Sequence, residues 1–259
     1  MKTLRLLHAM PRCGSTVLSM HLASMPGVVL LSEVHPTNFV SHPCDQACNW
    51  HGLITPDESE LWKRRHGCAE VLALLNERAT DASKTLLVRE WSYRDFKYAD
   101  QPQPLLPTWT SSIARHCHHY VDEVLRVSLV REPVDQWLSF QELNTRTGRI
   151  HPDDLASCMS SYRRFAEMAT TTEVVKFEDF TCEPEETLKY VCSLLDLPYA
   201  DVGDAWRTCS KVTGDPERVR SFQKVEVLPK KSVSPETLEA LRQNQDYLET
   251  CQLLDYPTR

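Results

Sequence analysis

Among 259 residues there are only 7 glycines, no surplus of positive charge and no apolar run long enough to cross a bilayer. Few glycines without a G-X-Y period exclude a collagen-like chain, and 41% hydrophobic against 25% charged residues excludes a disordered one. Lysine and arginine number 29 against 36 acidic residues, a net charge of −7, which argues against a general nucleic-acid binder. It leaves room for a locally basic pocket that takes a small anion. The opening MKTLRLLHAM lacks the h-region of a secretory signal, so a soluble, cytoplasmic chain without a membrane span is expected. The 10 cysteines lack the paired CxxC spacing of a zinc site, and in a reducing compartment they are expected as thiols. Two clusters hold metal-binding residue types: His42, Cys44, Cys48 and His51, and His116, Cys117, His118 and His119. Their irregular spacing favours a loop with small buried thiols in the first case and a solvated or half-buried stretch before a strand in the second. No metal is expected.

What is present alternates. Residues 4–10, 28–33, 85–92, 124–131 and 172–180 read as strands, and VVLL, TLLV and VLRVSLV are near-continuous apolar runs, as strands covered on both faces are. A helical stripe over 155–169 aligns Leu155, Cys158, Met159, Tyr162, Phe165, Ala166 and Ala169. A second covers 188–195 with Pro184 near its start, and Ser234-Pro235 opens a last helix. Strands alternating with helices predict an α/β fold, three layers deep and P-loop NTPase-like, with a mostly parallel central sheet flanked by helices. Without repeats or low-complexity tracts, the expectation is a single domain over 1–259. The weakly periodic stretches 93–123 and 211–233 are expected as ordered loops over a site.

The first strand leads into AMPRCGST, residues 9–16. Laid over the nucleotide pattern GxxxxGK[ST], Gly14 and Thr16 fit, Ala9 replaces the first glycine and Ser15 replaces the lysine. A strand, a tight turn and a helix start still point backbone N–H groups at an anion. Without the lysine that reaches the outer phosphates, and with no strong magnesium-binding acid at a strand end, triphosphate chemistry is poorly supported. A sulfuryl group carries less charge than a γ-phosphoryl group, and one guanidinium with a few N–H donors suffices for it. The second feature is LVREPVDQWLSF, residues 129–140: Arg131 ends a strand, Pro133 starts a helix and Ser139 follows eight residues after the arginine. An arginine at the carboxyl end of a strand lies where α/β sheets bind ligands, and its planar fork suits a phosphate; a structural salt bridge is the competing reading.

RCGST followed by LVREPVDQWLSF resembles the sulfotransferases that use 3′-phosphoadenosine 5′-phosphosulfate as sulfuryl donor. VVKFEDFTCEPEETLKYVCSLLDLP (174–198) is similar to their late strand-to-helix segment, with Phe177 where tyrosine is common, and VTGDPERVRSFQKVE (212–226) to the GDSGR-type loop of carbohydrate and bacterial members. The resemblance implies that Arg12, Cys13, Gly14, Ser15 and Thr16 bind the 5′-phosphosulfate, Arg12 also serving catalysis as a cation on the leaving phosphate. It implies that Arg131 and Ser139 bind the 3′-phosphate and that Arg218 closes over the cofactor, with Lys224 or Arg220 as weaker choices. A missing RKG-type segment and Arg12 in place of lysine put the chain nearer the bacterial and carbohydrate branches.

Glu33 and His35 end the second strand, and in several branches of that family a Glu or His here is the base for the acceptor hydroxyl. Strand alternation points the two the same way, and Glu33 is favoured as nearer the strand end; His35, of a residue type that commonly transfers protons near neutral pH, is second. Glu90 and Trp91 are candidates to line an acceptor pocket. Trp91, Tyr93 and Phe96 either stack on the acceptor or fill a core under a loop, and His116, His118 and His119 are minor base candidates. The expected function is sulfuryl transfer to a hydroxyl or amine of a small-molecule or carbohydrate acceptor. A P-loop kinase or a non-catalytic nucleotide-binding scaffold are the alternatives.

Overall fold

The structure, a computed structural model, describes residues 2–97, 111–148 and 154–259. Its strands are β1 (Thr3–Ala9), β2 (Val28–His35), β3 (Asn38–Phe39), β4 (Thr85–Glu90), β5 (Glu123–Val130) and β6 (Glu173–Lys176). They form one sheet in the order β3-β2-β4-β1-β5-β6. All pairings are parallel except that of the two-residue β3 with β2. The helices are α1 (Ser15–Ser24), α2 (Pro43–Asn49), α3 (Pro56–Arg65), α4 (Cys68–Asp81), α5 (Tyr93–Lys97), α6 (Ser112–Cys117) and α7 (Pro133–Arg146). After them come α8 (Leu155–Ala169), α9 (Phe177–Cys182), α10 (Pro184–Leu194), α11 (Pro216–Arg220), α12 (Pro235–Arg242) and α13 (Gln245–Leu253).

Three layers follow from the apolar strands. Leu7, Leu30, Leu87 and Leu129 meet α1, α8 and α10 on one face of the sheet. On the other, Leu6, Val29, Leu31, Leu86 and Val88 meet α2, α4 and α6. Both faces are dry, which is why these strands carry little polar alternation. The α/β three-layer expectation therefore describes the fold. Starts of helices are written locally: the carboxylate of Asp154 accepts from Ser157 N at 2.6 Å, Glu132 accepts from Asp135 N at 2.7 Å, and Ser234 Oγ accepts from Thr237 N at 3.2 Å.

Two expectations about elements need correction. Residues 172–180 are not one strand: β6 ends at Lys176, and Phe177–Cys182 is helical. Acidic Glu178 and Asp179 in its first turn suit the helix dipole, and Phe177 and Phe180, three apart, are both buried. Nor are 93–123 and 211–233 plain loops, since the first holds α5, α6 and the start of β5 and the second holds α11; residues 98–110 lie outside the described residues. Because β1 has β4 on one side and β5 on the other, and the chain leaves it toward β2, the carboxyl end of β1 is the switch point where open α/β sheets bind ligands.

Candidate active site

The turn after β1 is held from both sides. Gln136 Nε2 donates to the Pro11 carbonyl at 2.6 Å, and Cys13 N donates to Met10 O at 3.3 Å. Arg12 takes a left-handed backbone, φ 71°, and its carbonyl accepts from Arg131 Nη1 at 3.2 Å. Gly14, the residue before α1, has φ 88° and contributes no capping side chain. The first-turn N–H groups of Ser15, Thr16 and Val17 thus have no acceptor within the helix and open onto a cleft. Phe177 closes the turn from above: a Cβ built on Gly14 would come within 2.1 Å of its ring. Gly14→Ala combines a left-handed alanine with that overlap, and urea unfolding should show a loss of about 2–5 kcal/mol.

That cleft has a volume of about 110 Å³ and is lined by Arg12, Gly14, Ser15, Thr16, Arg131, Ser139 and Arg218, together with Phe177, Asp215 and Lys231. Arg131 is 7% exposed, and among the described residues no carboxylate lies within ion-pair distance of it. The salt-bridge reading of this arginine is thereby removed. Its guanidinium instead lies 4.9 Å from the centre of the Phe177 ring. Tyr162 clamps its backbone, accepting from Arg131 N at 2.9 Å and donating to Arg131 O at 2.6 Å. Ser139 Oγ, on α7, accepts from Arg12 Nε at 3.1 Å. Burial first, then the charge of Arg218, pushes the Arg12 guanidinium below its ordinary pKa, while Asp215 opposes the shift.

Cys13 does not belong to its wall. The thiol is buried 3.6 Å from Tyr162 Oη, burial pushes its pKa up to about 12, and its amide is committed to Met10. Arg220 and Lys224 also turn elsewhere, Arg220 to Glu217 and the Cys209 carbonyl, Lys224 to Glu226.

Glu33 sits at a β-bulge. The pairing of β2 with β4 shifts between Ser32 and Val34, and Glu33 has φ 52°. Leu31 and Val34, three apart, consequently pack on the same face, so the simple alternation that placed Glu33 and His35 together does not hold here. Glu33 Oε1 lies 3.3 Å from Arg89 Nη2, at the carboxyl end of β4, and that nitrogen also donates to Thr213 O and Oγ1 at 3.0 and 3.1 Å. A Cβ on Gly214 would approach Thr16 Oγ1 at 2.8 Å and Glu33 Oε1 at 3.8 Å, which puts Glu33 beside the cradle. His35 is engaged at both ring nitrogens, Nε2 with Asp95 at 3.1 Å and Nδ1 with Thr37.

Glu90 does not line a pocket: it is 2% exposed, accepting from His8 Nδ1 and Ser111 Oγ at 2.6 Å each and from Ile113 N at 3.0 Å. Phe96 is core, packed edge-on against Phe165. Tyr93 packs on Phe140, and Trp91 is half-buried under Arg94. The metal-type clusters disperse. His42 Nδ1 accepts from Cys44 N as a helix cap, His51 Nε2 donates to Leu30 O, and His116 and His118 donate to carbonyls of their own segment.

The chain superposes on the sulfotransferase domain of the Synechococcus PCC 7002 olefin synthase with a TM-score of 0.59 and 21% identity, over 98% of this chain and 93% of that one. The sulfotransferase domain of the curacin biosynthetic pathway gives 0.61 at 14% identity, over 100% and 99%. The chain has the sulfotransferase fold. A sulfotransferase from Alicyclobacillus acidocaldarius agrees, at 0.53 and 13% identity over 99% and 97%. No family model matches the sequence, and no curated protein matches it.

Within this sulfotransferase fold, sequence reasoning passed over Arg89, Asp215, Lys231 and the covering role of Phe177. Arg89 had a signal available, since it ends an apolar strand as Arg131 does. Lys231, beside Glu142, and Asp215, beside Arg146, have none, because their place in the cleft depends on how a loop lies. No helix of the described residues is long and apolar enough to cross a membrane.

Proposed function

We propose that residues 1–259 form one transferase domain that moves a sulfuryl group from 3′-phosphoadenosine 5′-phosphosulfate to a hydroxyl or amine of a small-molecule or carbohydrate acceptor. One observation carries the reading: an uncapped helix start and a buried arginine with no carboxylate partner among the described residues line the same cleft. That pair fits a ligand with two separate anionic ends. When bound, the donor would supply an activated sulfuryl group and the leaving group from which it parts, the 5′-phosphate of adenosine 3′,5′-bisphosphate. The amides of Ser15, Thr16 and Val17, with the Arg12 guanidinium, hold the 5′ end and meet the charge that grows there. Arg131 and Ser139 hold the 3′-phosphate, and Arg218 and Lys231 close the charged rim. Glu33, beside Thr16, takes the proton of the acceptor.

Calorimetry separates this from a kinase. Adenosine 3′,5′-bisphosphate is expected to bind at low micromolar concentration, near −8 kcal/mol, and ATP with magnesium is not expected to compete with it. The reverse order of affinities overturns the proposal. A screen of hydroxyl and amine acceptors with labelled donor then names the acceptor.

A further inference from the structure

Asp215 is, among the described residues lining the cleft, the one carboxylate in a wall of cations. A single oxygen, Oδ2, serves two arginines: it pairs with Arg146 Nη2 and lies 3.6 Å from Arg12 Nη1. Arg12 donates through Nε to Ser139 Oγ, so Asp215 and Ser139 share one guanidinium at the same end of the cleft. The preceding Gly214 allows this approach. Its φ of 103° and missing Cβ let the loop press to within 2.8 Å of Thr16 Oγ1, measured from where a Cβ would stand. Nothing in the cap geometry of α11 needs the side chain of Asp215, which makes no capping hydrogen bond.

We infer that Asp215 is a built-in competitor for a ligand phosphate. It neutralises Arg12 and Arg146 when the cleft is free and must yield them when a phosphate arrives at the Ser139 end. Two negative groups cannot share these guanidinium faces without repulsion in a partly desolvated cleft. The carboxylate therefore lowers the affinity for a nucleotide with a phosphate at that end, and it recaptures the arginines as the nucleotide departs. It thereby favours release of the spent bisphosphate, a step that often limits turnover. Adenosine, which brings no phosphate to Arg12, leaves Asp215 in place and is not penalised.

The inference rests on the sulfuryl-transfer reading, and calorimetry tells their failures apart. Asp215→Asn keeps shape and removes charge. It is expected to bind adenosine 3′,5′-bisphosphate about 5- to 20-fold more tightly than the unaltered protein, while adenosine changes less than about twofold. Asp215→Ser, which cannot rebuild the amide contacts asparagine offers, should give the same sign. Unchanged or weaker bisphosphate binding in both variants overturns the inference and leaves the functional reading standing. Failure of the unaltered protein to bind the bisphosphate defeats both, and equal tightening of adenosine refutes competition for a phosphate.

Discussion

Replacing Arg131 with alanine is expected to weaken binding of adenosine 3′,5′-bisphosphate by about 100- to 1000-fold, or roughly 3–4 kcal/mol. The magnitude follows from the site. Arg131 is 7% exposed and has no carboxylate among the described residues, and its removal takes away the two charge-assisted bonds that this fork would give a phosphate. The ligand is left with Ser139 and with Arg12, whose charge is already divided with Asp215. Arg131→Lys separates charge from shape: lysine restores the point charge but not the planar fork or the stacking on Phe177, and should recover only part of the affinity. Calorimetry on both variants, with thermal unfolding beside it, checks the assignment. If affinity holds and the melting temperature falls sharply, Arg131 serves the Arg12 carbonyl and the Phe177 ring instead of a ligand.

Glu33→Gln is the second large effect. Turnover should drop by about 10²- to 10⁴-fold, the range typical of a lost general base, with bisphosphate affinity kept within about threefold. The split between kcat and nucleotide binding matters, because a residue that merely braced the cradle would damage both. Glutamine preserves the length of the side chain, and Arg89 keeps its bonds to Thr213 O and Oγ1, so the strand end should survive the change. If turnover persists, the base lies elsewhere, and His35→Ala is the next variant to assay. His35 begins at a disadvantage, with Asp95 and Thr37 already on its ring.

How much of this could be read from the chain depends on distance along it. The cradle is local: an apolar strand, Gly14 and a helix start are contiguous, and their meaning travels with them. Arg131 and Ser139 are nearly so, since one strand end and two helical turns fix their relation. Features that depend on a partner were invisible. The bulge at Glu33 exists only because β4 pairs with Arg89 opposite Ser32 and Glu90 opposite Val34. Glu90 looked like a pocket residue from its place after a strand; His8 and Ser111, 82 and 21 positions away, make it a buried acceptor. The resemblance implies Cys13 for the cradle, but its thiol is buried against Tyr162. VVKFEDF reads as strand from its composition, whereas Phe177 and Phe180 are buried at helical spacing in α9.

The inserted residue at the end of β2 has an evolutionary and engineering meaning. An ordinary strand position is committed: changing it repacks one face of the sheet, and moving it re-registers everything downstream. Glu33 is supernumerary to the ladder, and Val34 returns to the core as though it were not there. Chemistry at this spot can be exchanged like a bit in a drill chuck, with side chains tolerant of a left-handed backbone, aspartate or asparagine above all, fitting without retooling the barrel that holds them.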